Sequence, residues 1–308
     1  MTVSARGMGV LTQRRDGHPH PRSLAPKLFV GFVCVSLALP ARADGLNAGA
    51  TDKVALDVPA DAVVIAIGGI GSLVPEIFKS QLAPAECRWC GANAVDRFFH
   101  DHLVGTIFSR KTADDWSNVT AFGLVPAAAL AGAFIDSGPH ATAGAGLRTV
   151  VIVAEGTVVA LALSQAVKLA TARARPFEVY GHPSQPGEGG LYDLSDPDSR
   201  LSFPSGHSTF AAAVGVGTAM TATLEESPAA PWLWGAAGVL TISTGLLRMM
   251  AEKHWVSDDL AGIAIGGGCG VLFPLLHQRG SLLGGSRSAT SVVAARPGGM
   301  TVSVSGTF

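Results

Sequence analysis

Charge is what this sequence has least of. Only 15% of its 308 residues are Asp, Glu, Lys or Arg and 48% are apolar, whereas soluble domains carry roughly 25% charged residues. So little charge tilts the class toward membrane. Neither sign is in surplus. With 22 basic and 23 acidic side chains the formal net charge is −1, and the basic footprint of a nucleic-acid partner is missing. Cysteine is scarce, at four residues. No internal repeat and no heptad run is present, which excludes solenoid and coiled-coil architectures.

The N-terminal stretch has the marks of an export signal. Arg14, Arg15, Arg22 and Lys27 precede an uncharged segment from Leu28 to Ala41, and Ala41-Arg42-Ala43 follows. A basic region, a short apolar core and an A-x-A site read as a signal peptide over residues 1–43, or as an uncleaved signal anchor. Arg14-Arg15 lacks the rest of a twin-arginine pattern, so the general secretory route is expected. In an exported chain, Cys87 and Cys90 of "CRWC" read as a local disulfide, since one C-x-x-C without a partner pair makes a poor zinc site. Cys34 lies in the signal, and Cys269, in an apolar run, reads as packing.

Long stretches without charge are the main landmarks. They run from Trp116 to Ile135, Leu201 to Leu224, Ser227 to Leu247 and Leu260 to Gln278, and Thr149 to Val167 is interrupted only by Glu155. Each is long enough to cross about 30 Å of hydrocarbon as a helix. The stretch from Ala62 to Pro75 is shorter and closed by proline, so it is expected to lie buried or at the interface. The fold class that follows is all-α: a membrane-embedded bundle of about five to six hydrophobic helices. Its parts are a signal over 1–43, a helical and loop region over 44–115, a helical core over 116–278 and a flexible tail or late hairpin over 279–308.

Three clusters of polar residues sit at the ends of these runs. In "KLATARARP", Lys168 and Arg175 are seven residues apart, nearly two helical turns, so both cations share one face and can grip one anion. In "PSGH", Gly206 lets the backbone approach a ligand and Ser205 adds a hydroxyl. The opening amides of the next helix face an anion there, and His207 stands on its rim, placed to exchange a proton. In "RMMAEKHWVSD", Arg248 supplies a third cation. His254 and Asp258, four apart, read as a nucleophilic imidazole with a carboxylate on its other nitrogen.

Together, K-x6-R-P, P-S-G-H and R-x5-H-x3-D resemble the signature of the type 2 phosphatidic acid phosphatase and vanadium haloperoxidase superfamily, over roughly residues 116 to 278. One departure is Leu247, where the family usually has serine before the arginine; Ser243 and Thr244 lie one turn away. The resemblance implies that Lys168, Arg175, Arg248, Ser205 and Gly206 hold a phosphate. It further implies that His254 attacks phosphorus to form a phosphohistidine, Asp258 orients its ring, and His207 serves the leaving oxygen and then the attacking water. No metal or other cofactor is implied, and vanadate is expected to inhibit.

The expected function is metal-independent hydrolysis of phosphate monoesters or diphosphates of lipids, such as phosphatidate, prenyl diphosphate or lipid A, in the cell envelope. The alternatives are a soluble periplasmic acid phosphatase, a vanadate-dependent haloperoxidase and a membrane protein that merely binds anions. Counting five spans after a cleaved signal puts residues 44–115 and the catalytic loops together on the exterior of the inner membrane; a sixth span at Ala62 to Pro75 would instead turn the active site to the cytoplasm and the basic tail outside. Arg279 and Arg287 then fall inside, as the positive-inside rule favours. His100, His102, His140, His182 and His277 have no partner at a telling spacing and read as solvent or interface residues.

Overall fold

The structure, a computed structural model, describes residues 52–135, 143–284, 290–296 and 299–305. The signal segment with Cys34, and His140, lie outside the described residues. Helix α1 (Val58–Ile77) starts where the Asp57 side chain accepts from the Ala60 amide at 3.3 Å, with proline in the first turn, where no intrahelical donor is lost. A short α2 (Lys79–Leu82) follows. Helices α3 (Ala94–Leu103) and α4 (Arg110–Val119) are capped by Asn93 and Ser109. One π-turn, Thr120–Leu124, leads from α4 into α5 (Val125–Ile135).

The rest of the bundle is α6 (Ala143–Thr171), the short α7 (Pro176–Val179), α8 (Gly206–Leu224), α9 (Ala230–Met250) and α10 (Val256–Leu276). The chain ends in an antiparallel hairpin of β1 (Thr290–Arg296) and β2 (Gly299–Ser305), with Thr290 opposite Ser305. Of the two forms open to the C-terminal stretch, this is the hairpin. The all-α bundle is otherwise as expected.

Helix α8 is the centre, packed against α5, α6, α9 and α10. Glycines set how closely α10 comes. A Cβ on Gly262 would lie 2.5 Å from the Ser205 carbonyl oxygen, and one on Gly266 would lie 2.1 Å from that of Thr209. Their spacing of four puts both on one face of α10, so the backbones meet without side chains between them. Helix α1 runs parallel to α6, with Gly68 against Val158 and Gly71 against Ala162.

Five of the described helices are long and apolar enough to cross a membrane: Val58–Ile77, Arg110–Phe134, Ala143–Thr171, Ala230–Met250 and Val256–Leu276. Two differ from the expected set. Helix α1 does not stop at Pro75 but continues to Ile77, and it starts four residues ahead of Ala62, so it gains the length of a span. Val63, Ile67, Ile70, Val74 and Ile77 form an exposed apolar stripe along it. Helix α8 drops out of the set. Surrounded by other helices, it carries buried Thr209, Thr218 and Thr221, whose hydroxyls donate to carbonyls one turn back.

With α1 between them, residues 52–57 and residues 78–115 lie at opposite ends of the helix. The Ala55 amide donates to the His277 carbonyl at 2.9 Å, so the chain just before α1 and the chain just after α10 meet at one end. The polar clusters gather at the other end.

Candidate active site

Four helix ends converge there: the C-termini of α6 and α9 and the N-termini of α8 and α10. Lys168, in the last turn of α6, is 8% exposed, and its Nζ lies 3.4 Å from where a Gly206 Cβ would stand. A Cβ at 206 would stand in contact with the ammonium. Gly206 is the first residue of α8, where the backbone amide has no intrahelical partner. Ser205 is fully buried as the N-cap: its hydroxyl bonds Ser208 and its amide donates to the Asp258 carbonyl at 3.0 Å. The structure therefore gives the Ser205 hydroxyl a capping bond and a backbone tie to α10 in place of an open donor.

Arg175 caps α7 and is gripped on three sides. Nε donates to the Asp198 carbonyl at 2.8 Å, Nη2 to the Asp198 carboxylate at 2.8 Å, and Nη1 to the Lys253 carbonyl at 2.8 Å. Nη1 also lies 3.3 Å from His254 Nε2. Burial alone would raise the Asp198 carboxyl, but Arg175, Lys79 and Lys168 hold it well below its usual range. Arg248 reaches Asp114 at 2.7 Å and Ser117 Oγ at 3.2 Å, both on α4. The hydroxyl beside this arginine is thus Ser117. Thr244 is turned inward, donating to the Leu240 carbonyl at 2.8 Å, and Leu247 offers none.

His254 lies in the turn between α9 and α10, before Val256 opens the helix, so it does not share a helix with Asp258. Its Nδ1 is 2.8 Å from the Ser202 carbonyl and 3.6 Å from Asp258. The carbonyl, not the carboxylate, takes the Nδ1 proton, which leaves the Nε2 lone pair facing Arg175. Asp258 instead accepts from Arg173 at 2.5 Å, from the Ser202 hydroxyl at 2.5 Å and from the Trp255 amide at 2.9 Å. Ser202 stands between the two side chains, its carbonyl on His254 Nδ1 and its hydroxyl on Asp258. Burial, joined by Arg175 and Arg248, pushes the His254 ring well below its usual range, so it is neutral at neutral pH. His207 Nε2 lies 2.8 Å from Asn118 Oδ1, and its ring packs on Phe122 at 4.8 Å.

Several residues at this end had no sequence signal. Arg173 is fully buried, bridges Asp258 and Asp96 at 2.5 Å each, and stacks on Trp89 at 3.8 Å. Asp96, Asp114, Asn118 and Asp198 come from α3, α4 and a loop, at sequence separations no short motif can carry. Lys253, beside His254, is 8% exposed; burial, opposed by Asp114 and helped by Arg175, brings it down to about 7. Cys87 and Cys90 are joined by a disulfide with Cα atoms 5.4 Å apart. The loop they close lies along the extended segment at Arg173: the Arg88 amide donates to the Ala172 carbonyl and the Ala174 amide to the Trp89 carbonyl, each at 3.0 Å.

No curated protein matches the chain. It is similar to the first transmembrane PAP2 type phosphatidylglycerolphosphate phosphatase from Bacillus subtilis, known from a crystal structure, at 18% identity over 82% of this chain and 94% of that one, with a TM-score of 0.37. The pattern of the PAP2 superfamily matches residues 149–281. That segment contains Lys168, Arg175, Ser205, Gly206, His207, Arg248, His254 and Asp258, and over it the chain is similar to the PAP2 superfamily.

Proposed function

We propose that the chain is a membrane phosphatase that hydrolyses phosphate monoesters or diphosphates of lipids through a phosphohistidine on His254. The observation that carries this reading is the His254 ring. It is neutral and held by a carbonyl at Nδ1, and its Nε2 lies 3.3 Å from an arginine that can hold a phosphoryl oxygen. An anion-binding protein has no need of an imidazole poised this way.

Lys168, Arg175 and Arg248, with the Gly206 amide, would take the equatorial oxygens of the transferring phosphoryl group. Charge develops on those oxygens in the transition state, and fixed cations in a buried site stabilise it there. Nε2 attacks phosphorus, the P–O bond to the leaving alcohol breaks, and His207 gives that oxygen its proton. Water then attacks the phosphohistidine as His207 takes back a proton, releasing phosphate and free His254. The residues meet the charge without a metal at this end, and vanadate, as a pentacoordinate phosphate mimic, should inhibit.

Phosphatidate, prenyl diphosphate and lipid A type substrates fit a site at the end of a bundle whose outer helix is apolar along its length. The catalytic end is assigned to the exterior of the inner membrane because Cys87 and Cys90 lie there, and a disulfide persists in an oxidising compartment. Residues 52–57 and 277–284, with Arg148 and Arg279, then face the cytoplasm, as positive-inside charge favours.

The test is purified protein against a panel of phosphorylated lipids and soluble phosphate esters, wild type beside His254→Ala. Loss of one member of a cooperating catalytic unit lowers kcat by about 10⁴- to 10⁶-fold. Acid-labile label from a phosphorylated substrate should appear on wild type and be missing from the variant. Turnover by His254→Ala within tenfold of wild type would sink the mechanism, and preference for soluble esters would move the substrate class.

A further inference from the structure

The other end of the bundle holds a second convergent group. Asp61 in the first turns of α1, Glu155 in the middle of α6 and His277 at the end of α10 are 2%, 0% and 0% exposed. Their donor atoms all lie within 4.8 Å of one another. His277 was expected at solvent or an interface, but folding buries it against two carboxylates from distant parts of the chain. From Glu155 to Lys168 is 13 residues of α6, about 20 Å along the helix. This group has no part in the phosphate site.

Hydrogen bonding within the group does not close. His277 Nδ1 is 2.8 Å from the Phe273 carbonyl, and its Nε2 faces Asp61 Oδ1 at 3.3 Å and Glu155 Oε2 at 3.5 Å. One ring nitrogen and an oxygen from each carboxylate then face one point. Both Glu155 oxygens and Asp61 Oδ2 are buried without a hydrogen-bond partner. Two carboxylates in such surroundings are costly unless a cation meets them.

From this geometry we infer that Asp61, Glu155 and His277 bind a divalent transition-metal ion, zinc by its chemistry. Zinc takes imidazole nitrogen and carboxylate oxygen at bond lengths near 2.0–2.2 Å, and a tetrahedron with such bonds has edges of about 3.3–3.5 Å. The two edges at His277 Nε2 are 3.3 and 3.5 Å. One doubly charged ion neutralises both carboxylates beside a neutral imidazole. The second ring nitrogen on a backbone carbonyl is how metal-ligating histidines are commonly oriented. The ion ties α1, the outermost helix of the trio, to α6 and α10 at the end far from catalysis. Its role is to hold α1 in place.

The test uses the full chain purified in detergent through a tag without histidine, stripped with chelator, equilibrated with zinc and desalted. Wild type should retain about one zinc per chain by elemental analysis, and Glu155→Gln and His277→Gln less than about a fifth of that. Stripping should lower the Tm of wild type and leave the Tm of Glu155→Gln unmoved. Should either variant fail to fold, cobalt replaces zinc on wild type alone: a visible d–d band of tetrahedral intensity, bleached by added zinc, is expected. No retained zinc on wild type, or no cobalt band, overturns the site and leaves the three side chains sharing a proton instead.

Discussion

Replacing Arg173 with methionine probes the buried framework behind the nucleophile. The guanidinium bridges Asp96 and Asp258 at 2.5 Å each, and all three side chains are fully buried. Removing one partner of a buried ion pair costs about 3–5 kcal/mol, because the remaining charge is left uncompensated. The cost is not doubled. Asp258 keeps the Ser202 hydroxyl and the Trp255 amide, and Asp96 keeps the Ser257 amide and hydroxyl. At roughly 2–4 °C per kcal/mol for a chain of this size, the apparent Tm in detergent should fall by about 6–20 °C.

Below that lowered Tm, kcat should also fall, by about 10²-fold, since Arg173 touches no substrate but fixes the carboxylate that holds Ser202 and so His254. Methionine keeps much of the volume between Trp89 and Trp255 and removes only the charge. Combining Arg173→Met with Asp258→Asn takes away both members of one pair. The drop in the double variant should be less than the sum of the singles by about 1–3 kcal/mol, as expected of residues in contact. Thermal unfolding followed by tryptophan fluorescence measures all three. Strict additivity, or an unchanged Tm in Arg173→Met, would refute the argument that this arginine balances two buried charges.

Other outcomes follow from the same geometry. Burial would raise Glu252, but hydrogen bonds from His100, Arg110 and His182 hold it down to about 2. A depressed carboxyl lends stability above its ordinary 4.5 and loses it as pH falls toward 2, so Glu252→Gln should flatten the acid limb of a Tm-against-pH curve; an unchanged limb removes Glu252 as its source. Micromolar vanadate should inhibit, while chelator present only during the assay should leave the initial rate unchanged, because Lys168, Arg175 and Arg248 meet the phosphate charge and the inferred zinc is buried far away. Loss of rate restored by a divalent ion would argue for metal chemistry at the phosphate. A cysteine at Gln185, in the loop at the catalytic end, should react with an impermeant reagent in intact cells, and one at Pro228, at the opposite end, only after lysis; the reverse pattern would turn the active site to the cytoplasm.

The local motifs and the apolar runs were legible without coordinates. Lys168, Arg175, Ser205 to His207, Arg248, His254 and Asp258 stand at fixed short spacings, because each cluster belongs to one helix end, and a helix end is a local object. Charge-poor runs of about 20 residues likewise announce helices, since hydrocarbon leaves a backbone few other ways to satisfy its hydrogen bonds. What joins one helix end to another was not legible. Arg173 between Asp96 and Asp258, Asp114 on Arg248 and Asn118 on His207 are long-range pairs, made only once α3 and α4 pack against the ends of the later helices. In the sequence Pro75 reads as a stop for α1, whereas the helix runs through it to Ile77. The meeting of Asp61, Glu155 and His277 was equally hidden, since their separations in sequence reflect only the path of the chain. Packing of α1 on α6 and α10 brings them together, and burial turns three ordinary polar residues into a site.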